Sequence, residues 1–226
     1  MKRFTRTLLL ITVLAVAIAG TASAKDFKGI ITYKISYPGS ELDAQTKAML
    51  PKMLTYKIKG NLAKTEMEMG GMGRQMQIIN GDEKVVYTLI DMMGKKITFK
   101  MTEEEINKEL ENEPNVTVDY FDETKEIAGY ECKKAVINMD NDGTKSSFIV
   151  YYTDELGGQS LNFDNNMFKE IDGVLMEFEI IEGNMKMKME AVSVKKENVP
   201  DSEFVVPDDF EEMTKEEMQN MFGGGM

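Results

Sequence analysis

Apolar and polar residues alternate with a period of two along most of this chain. In the segment 27–37, Phe27, Gly29, Ile31, Tyr33, Ile35 and Tyr37 share one parity, while Lys28, Thr32, Lys34 and Ser36 share the other, with Ile30 the exception. Neighbours two apart on a strand point to the same side, so this pattern describes a strand with one buried face. The same reading applies to Leu54–Lys59, Lys64–Met69, Arg74–Ile79, Lys84–Ile90 and Lys95–Met101. Turn formers separate these segments: Gly60-Asn61, Gly70-Gly71, Asn80-Gly81-Asp82 and Gly94. A second set follows at Tyr130–Met139, Ser147–Thr153, Val174–Ile181 and Met185–Lys195. Short strands joined by tight turns predict an antiparallel meander, and this many of them predict a large, strongly curved sheet.

Three helices are expected to interrupt it. Ser40–Leu50 has a serine N-cap and Pro51 to stop it. Thr102–Leu110 carries a capping box, Thr102 with Glu105, and a staple pair, Met101 with Ile106. The tail repeats this device with Thr214 and Glu217, Met213 and Met218, before Gly223–Gly225. Val199-Pro200 and Val206-Pro207 predict an extended, non-helical crossing between sheet and tail. The fold class is therefore mainly β, in one domain over residues 25–226.

The first 24 residues follow a different rule. Lys2, Arg3 and Arg6 precede an apolar run from Leu8 to Ala19, and Ala22-Ser23-Ala24 then stands before Lys25. A basic start, a short apolar stretch and small residues at an A-x-A site make a cleavable export signal over Met1–Ala24. The apolar run is shorter than the ~20 residues that span a bilayer, which disfavours a retained anchor. Lys25 rather than Cys would begin the mature chain, so the expected product is a periplasmic or secreted protein that is not integral to the membrane.

Cleavage also changes the charge. The 27 basic residues fall to 24 while all 39 acids remain, so the net charge moves from −12 to −15. Such a chain repels nucleic acid and anionic lipid surfaces before contact, which excludes nucleic acid as an expected partner. Cys132 is the only cysteine, so no intrachain disulfide forms.

Histidine is absent. That removes Ser-His-Asp and Cys-His couples, His-ligated zinc, and the side chain best suited to acid-base work near neutrality. Carboxylate pairs of the glycosidase kind remain, but with no Trp to provide a sugar platform. We expect no enzyme and no cofactor. Asn138-x-Asp140-x-Asp142-Gly143 imitates half of an EF-hand loop, yet Ile149 stands where the bidentate Glu belongs, and a hairpin turn is the better reading. Cys132 is flanked by Lys133 and Lys134, which would activate an exposed thiol; a lone cysteine in a strand is more often a small buried apolar residue.

Methionine is in excess, at 20 residues. Met67 and Met69 form one stripe by strand parity, and Met185, Met187 and Met189 another. Exported thioether stripes suit Cu(I), whereas flexible methionines also line cores and apolar cavities.

The segment Glu123-Thr124-Lys125-Glu126-Ile127-Ala128-Gly129-Tyr130-Glu131-Cys132-Lys133-Lys134 resembles the signature of a group of exported Gram-negative bacterial proteins that carry a domain of unknown function. The resemblance runs from Phe27-Lys28-Gly29 through Tyr56-Lys57-Ile58-Lys59-Gly60 to Asp201-Ser202-Glu203-Phe204-Val205-Val206-Pro207. That group is similar in architecture to periplasmic lipoprotein carriers. The similarity implies an unclosed half-barrel whose concave apolar side is covered by two or three short helices, and it carries over no catalytic residue.

Together these features lead to a non-enzymatic binding or carrier module for an apolar ligand such as a lipid acyl chain. Strand parity nominates Tyr33, Ile58, Met67, Met69, Met76, Phe99, Met176, Phe178, Met187 and Met189 as its lining. Two alternatives stay open: a Cu(I)-binding protein using the methionine stripes, and an envelope module that meets other proteins without a small ligand.

Overall fold

The computed structural model describes residues 27–39, 42–111, 113–141, 143–182, 185–214 and 217. The expected leader, Met1–Ala24, lies outside them. Six strands form a first meander: β1 (Lys28–Ser36), β2 (Met53–Lys59), β3 (Leu62–Glu68), β4 (Gly73–Asn80), β5 (Val85–Met92) and β6 (Lys95–Met101). Five form a second: β7 (Asn115–Ile127), β8 (Tyr130–Asn141), β9 (Thr144–Thr153), β10 (Val174–Glu182) and β11 (Met185–Lys196). Antiparallel pairing of β1 with β11 joins them into one sheet. A two-residue strand, β12 (Glu211–Glu212), adds to β6 in parallel. The order is β12-β6-β5-β4-β3-β2-β1-β11-β10-β9-β8-β7, with β12 and β7 at the two open edges, so the sheet is an unclosed, mainly antiparallel one.

The alternation locates ten of these strands within a few residues but assigns nothing to β7. Its Val116, Val118 and Tyr120 do alternate, but the pairing with β8 shifts between Phe121 and Thr124, and the flanking charges face solvent on an open edge. A bulge of this kind breaks a period-two signal halfway along the strand. The β7–β8 turn itself is Ala128-Gly129, with φ of 51° and 86°. Positive φ at both central positions is the two-residue hairpin turn that matches strand twist, and it is the structural content of the Ile127-Ala128-Gly129-Tyr130 motif. The Asn138–Gly143 segment is likewise a hairpin: Asp140 Oδ1 accepts the Gly143 N–H at 2.9 Å, and Asn141 pairs with Thr144.

Helix α1 (Ala44–Met49) is shorter than the expected Ser40–Leu50. Asp43 is its N-cap, accepting from the amides of Gln45 and Thr46 at 2.8 and 2.9 Å; Ser40 lies outside the described residues. It buries no side chain. Helix α2 (Glu103–Leu110) has the expected box, with the Thr102 N–H donating to Glu105 Oε2 at 2.8 Å, and it sinks Ile106 into the core. The tail box is formed too, Thr214 N–H to Glu217 Oε2 at 2.8 Å, while the helix expected beyond it lies outside the described residues. Between the two Val-Pro pairs the crossing is not wholly extended, because Asp201–Phe204 makes a 3-10 turn.

Both faces of the sheet carry apolar side chains. The concave face holds the main core, with Ile31, Tyr33, Ile58, Ala63, Ile137 and Val150 among its buried members. On the convex face, Met76, Ile78 and Leu89 are covered by Phe204, Val206 and Phe210 of the C-terminal crossing. Glu203 anchors that crossing by ion pairs to Lys57 and Lys64 at 2.8 and 3.1 Å, and Glu66 bridges the same two lysines at 3.2 and 3.0 Å. Lys57 Nζ donates a hydrogen bond to Glu203, which holds the Glu203 carboxyl below its usual range.

Candidate functional site

The concave face is covered by α2 at one end and, over its middle, by the connection between β9 and β10. That connection contains the run Asn162-Phe163-Asp164-Asn165-Asn166, rich in residues whose side chains and carbonyls satisfy tight turns. Asn162 Nδ2 donates to the carbonyls of Ile171 and Gly173, both at 2.9 Å, which ties the middle of the connection to its β10 end. Asn165 Oδ1 accepts from the Met167 amide at 3.0 Å, and Asn166 Nδ2 donates to Pro114 O at 2.8 Å. On the far side Ser160 Oγ donates to Asn61 Oδ1 at 2.9 Å in the β2–β3 turn. A Cβ at Gly81, in the β4–β5 turn, would stand 2.4 Å from Ser160 O, so only glycine admits this approach. Leu161, Phe168 and Ile171 of the connection are themselves buried.

Sheet and connection do not close completely. Between them lies a cleft of about 240 Å³. Six adjacent strands supply its floor: Gln75, Gln77 and Ile79 from β4, Thr65 and Met67 from β3, Leu54 and Tyr56 from β2, Tyr33 from β1, Met189 from β11, and Leu175, Phe178 and Ile180 from β10. Asn162, Asp164, Asn165 and Phe168 supply the roof. Its amides gather on β4 and in the roof, whereas the walls from β2, β10 and β11 are apolar or aromatic. Tyr33 stacks edge-on to Phe178 at 6.1 Å, Phe168 meets Phe178 at 5.4 Å, and Tyr33 lies 6.5 Å from Tyr56. The Tyr33 hydroxyl donates to Leu175 O at 2.8 Å, fixing β1 to β10 across β11, and burial raises its pKa. Tyr56 is raised as well, first by burial and then by the charge of Asp164. Burial pushes the Asp164 carboxyl up to about 6.

Tyr33, Met67, Phe178 and Met189 line the cleft as parity predicts. The other six nominated residues do not. Ile58 and Met176 are fully buried in the core, Met176 where the β9–β10 register shifts, and Met187 is buried as well. Phe99 is buried on β6, outside the cleft. Met69 follows the end of β3, half-buried. Met76 faces the opposite, convex side, against the C-terminal crossing. The methionine stripes do not converge either: Met67 on β3 and Met189 on β11 are three strand spacings apart, roughly 14 Å along the sheet. Cys132 is fully buried, and burial pushes its thiol up to about 11, so the flanking lysines leave it a core residue.

Sequence reasoning missed the roof. Its one visible signal was the Asn/Asp-rich run interrupted by Phe163 and Phe168, a turn-rich segment with two large apolar anchors. It missed the β4 amides because Gln75 and Gln77 read as a solvent face.

No functionally curated protein matches the chain. Among solved structures, the β-barrel-like protein of the domain of unknown function DUF1849 from Brucella abortus is similar, at 10% identity and a TM-score of 0.37, over 77% of this chain and 99% of that one. Among the described residues no helix is long and apolar enough to cross a membrane. A family model for a domain of unknown function, DUF4412, matches residues 27–210, from the first strand to the crossing over the convex face, and the chain belongs to that family.

Proposed function

We propose that this protein is an exported, non-enzymatic binding module whose concave cleft holds the apolar part of a small molecule. The observation that carries this reading is the cleft itself, a cavity between a six-strand floor and a pinned roof, lined by Leu54, Met67, Phe178, Ile180 and Met189 with a few polar groups at one side. Mostly apolar walls with a small number of oriented polar groups are what ligand sites in β-barrel mouths present. At about 240 Å³ it is smaller than the ~300–1,000 Å³ of drug-sized pockets. A compact ligand fits, or one end of a longer chain; a whole lipid acyl chain does not. Separation of the methionine stripes argues against copper as the ligand.

The reading is tested with N-phenyl-naphthylamine, a neutral apolar probe that fluoresces on leaving water. Wild-type protein is expected to bind it saturably at one site. Leu54 opposes Tyr33 and Met67 on neighbouring strands, so Leu54→Trp fills the cleft, and because the chain has no other Trp it also reports the site by its own fluorescence. That variant should bind at least tenfold more weakly with an unchanged melting temperature. Equal affinity in both proteins would overturn the proposal. Export is tested separately: intact mass of protein recovered from a Gram-negative periplasm should begin at Lys25, and a mass retaining Met1–Ala24 would contradict it.

A further inference from the structure

Asp164 has no evident role in holding an apolar molecule. It lines the main cleft and also an adjoining cleft of about 210 Å³, formed with Ile106, Glu109 and Leu110 of α2 and with Glu113. Its carboxyl is largely enclosed by protein, while the residue as a whole keeps partial solvent contact at the mouth. No lysine or arginine among the described residues lines either cleft, and none forms an ion pair with Asp164. The nearby Lys84 instead stands over the ring of Phe163, 4.7 Å from its centroid. An enclosed carboxylate without a counter-charge is costly, and proteins ordinarily pair it or remove it.

The rest of the cleft matches this vacancy. Tyr33, Tyr56, Phe168 and Phe178 crowd one side of it, and aromatic faces attract cations, most of all quaternary ammonium groups that keep little hydration. The carboxylates around Asp164 do not converge on a metal geometry: among the described residues, no group of three or more Cys, Asp or Glu does so. A bulky, weakly hydrated organic cation meets these walls better than a bare ion.

We propose that the ligand of the cleft is an organic cation, its apolar body against Met67, Phe178, Ile180 and Met189 and its ammonium end beside Asp164 and the aromatic rings. This rests on the reading of the cleft as a binding site and adds the chemical class. The mature chain's surplus of acids attracts cations over distance and repels fatty-acid anions of the same tail length.

Binding then depends on pH. A cation is held by the ionised form of Asp164, whose pKa of about 6 makes that form dominant at pH 7.5 and scarce at pH 5. The titratable groups sharing its surroundings are Tyr33 on β1, Tyr56 on β2, Glu109 on α2 and Glu113 after it, with Lys84 over the adjacent ring. The tyrosines stay protonated over this range because their pKa values are raised.

The test uses three probes with one tail, hexyltrimethylammonium, hexanol and hexanoate, titrated calorimetrically into wild type and Asp164→Asn. At pH 7.5 the cation should bind wild type at least tenfold tighter than hexanol, with hexanoate weakest. In Asp164→Asn the cation should fall to the level of hexanol, whose own affinity stays the same. Since the trimethylammonium group does not titrate, a loss of about tenfold in wild-type cation affinity from pH 7.5 to 5 reports the carboxyl without any substitution. If hexanol binds as well as the cation, or cation affinity is flat with pH, the inference falls and the apolar cleft stands. If none of the three binds and N-phenyl-naphthylamine does not either, both fall.

Discussion

Asp164→Asn makes the protein more stable at pH 7, by up to about 3 kcal/mol, and the gain disappears below about pH 4. The magnitude follows from the rise of the Asp164 carboxyl from 3.8 to about 6 on folding, at ~1.4 kcal/mol per pH unit. The folded chain binds this proton more tightly than the unfolded chain does. Stability from the protonated carboxyl is therefore complete below the unfolded pKa and is lost as pH rises through the folded one, between about 4 and 6. Asparagine never ionises, so the variant escapes the loss. Urea unfolding of both proteins from pH 3.5 to 7.5 measures the difference directly, and the other carboxylates cancel because they are common to the two. A variant no more stable than wild type at pH 7, or a gap that persists at pH 3.5, would show that the carboxyl is not held in a costly environment. Saturating hexyltrimethylammonium should narrow the gap, since only wild type has the counter-charge to bind it tightly and a ligand held at 100 times its Kd adds ~2.7 kcal/mol. A residue that weakens the free protein and strengthens the complex is the usual mark of a site kept for binding.

Ile58→Ala and Met67→Ala are expected to separate in the opposite sense, although they share the concave face. Ile58 is fully buried among core residues on β2, so its truncation leaves a void and should cost about 3 kcal/mol, within the ~2–5 range for such changes. Met67 on β3 is half-buried and lines the cleft, where the space already exists. Its truncation should cost no more than about 1 kcal/mol of stability. Affinity for N-phenyl-naphthylamine should respond inversely, falling severalfold in Met67→Ala and little in Ile58→Ala when measured well below the melting temperature. Similar stability losses in the two variants would mean that Met67 is plain core and that the cleft is collapsed in solution.

Those two residues also show where strand parity stops being informative. Ile58 and Met67 were equivalent on that basis, each an apolar residue on the inward parity of a strand. What separates them is the β9–β10 connection, which presses on one part of the concave face and stands off another. Met76 exposes a second ambiguity. An alternating strand usually buries one face, but in β4 Met76 and Ile78 are covered by the C-terminal crossing while Gln75, Gln77 and Ile79 look into the cleft. With apolar residues on both parities, the more hydrophobic side was the convex one. The Gln residues that read as solvent-facing became part of the candidate site.

The sequence by itself determined the β class, ten of the twelve strands among the described residues, most of their turns, the α2 capping box and the burial of Cys132. These depend on neighbours along the chain or on alternation, and their physics is local: side chains two apart share a face, and glycine or asparagine admits the turn. Only the tertiary structure decided that β1 pairs with β11, that β7 continues past its bulge, and that the Asn162–Asn166 turns roof the concave face with Asp164 inside. The first and last of these are contacts between segments distant in sequence, and the bulge is a local break that alternation does not bridge. Tyr33 and Leu175 meet across 142 positions, and Ser160 and Asn61 across 99. A cleft is the space such contacts leave unfilled, and no local pattern encodes it.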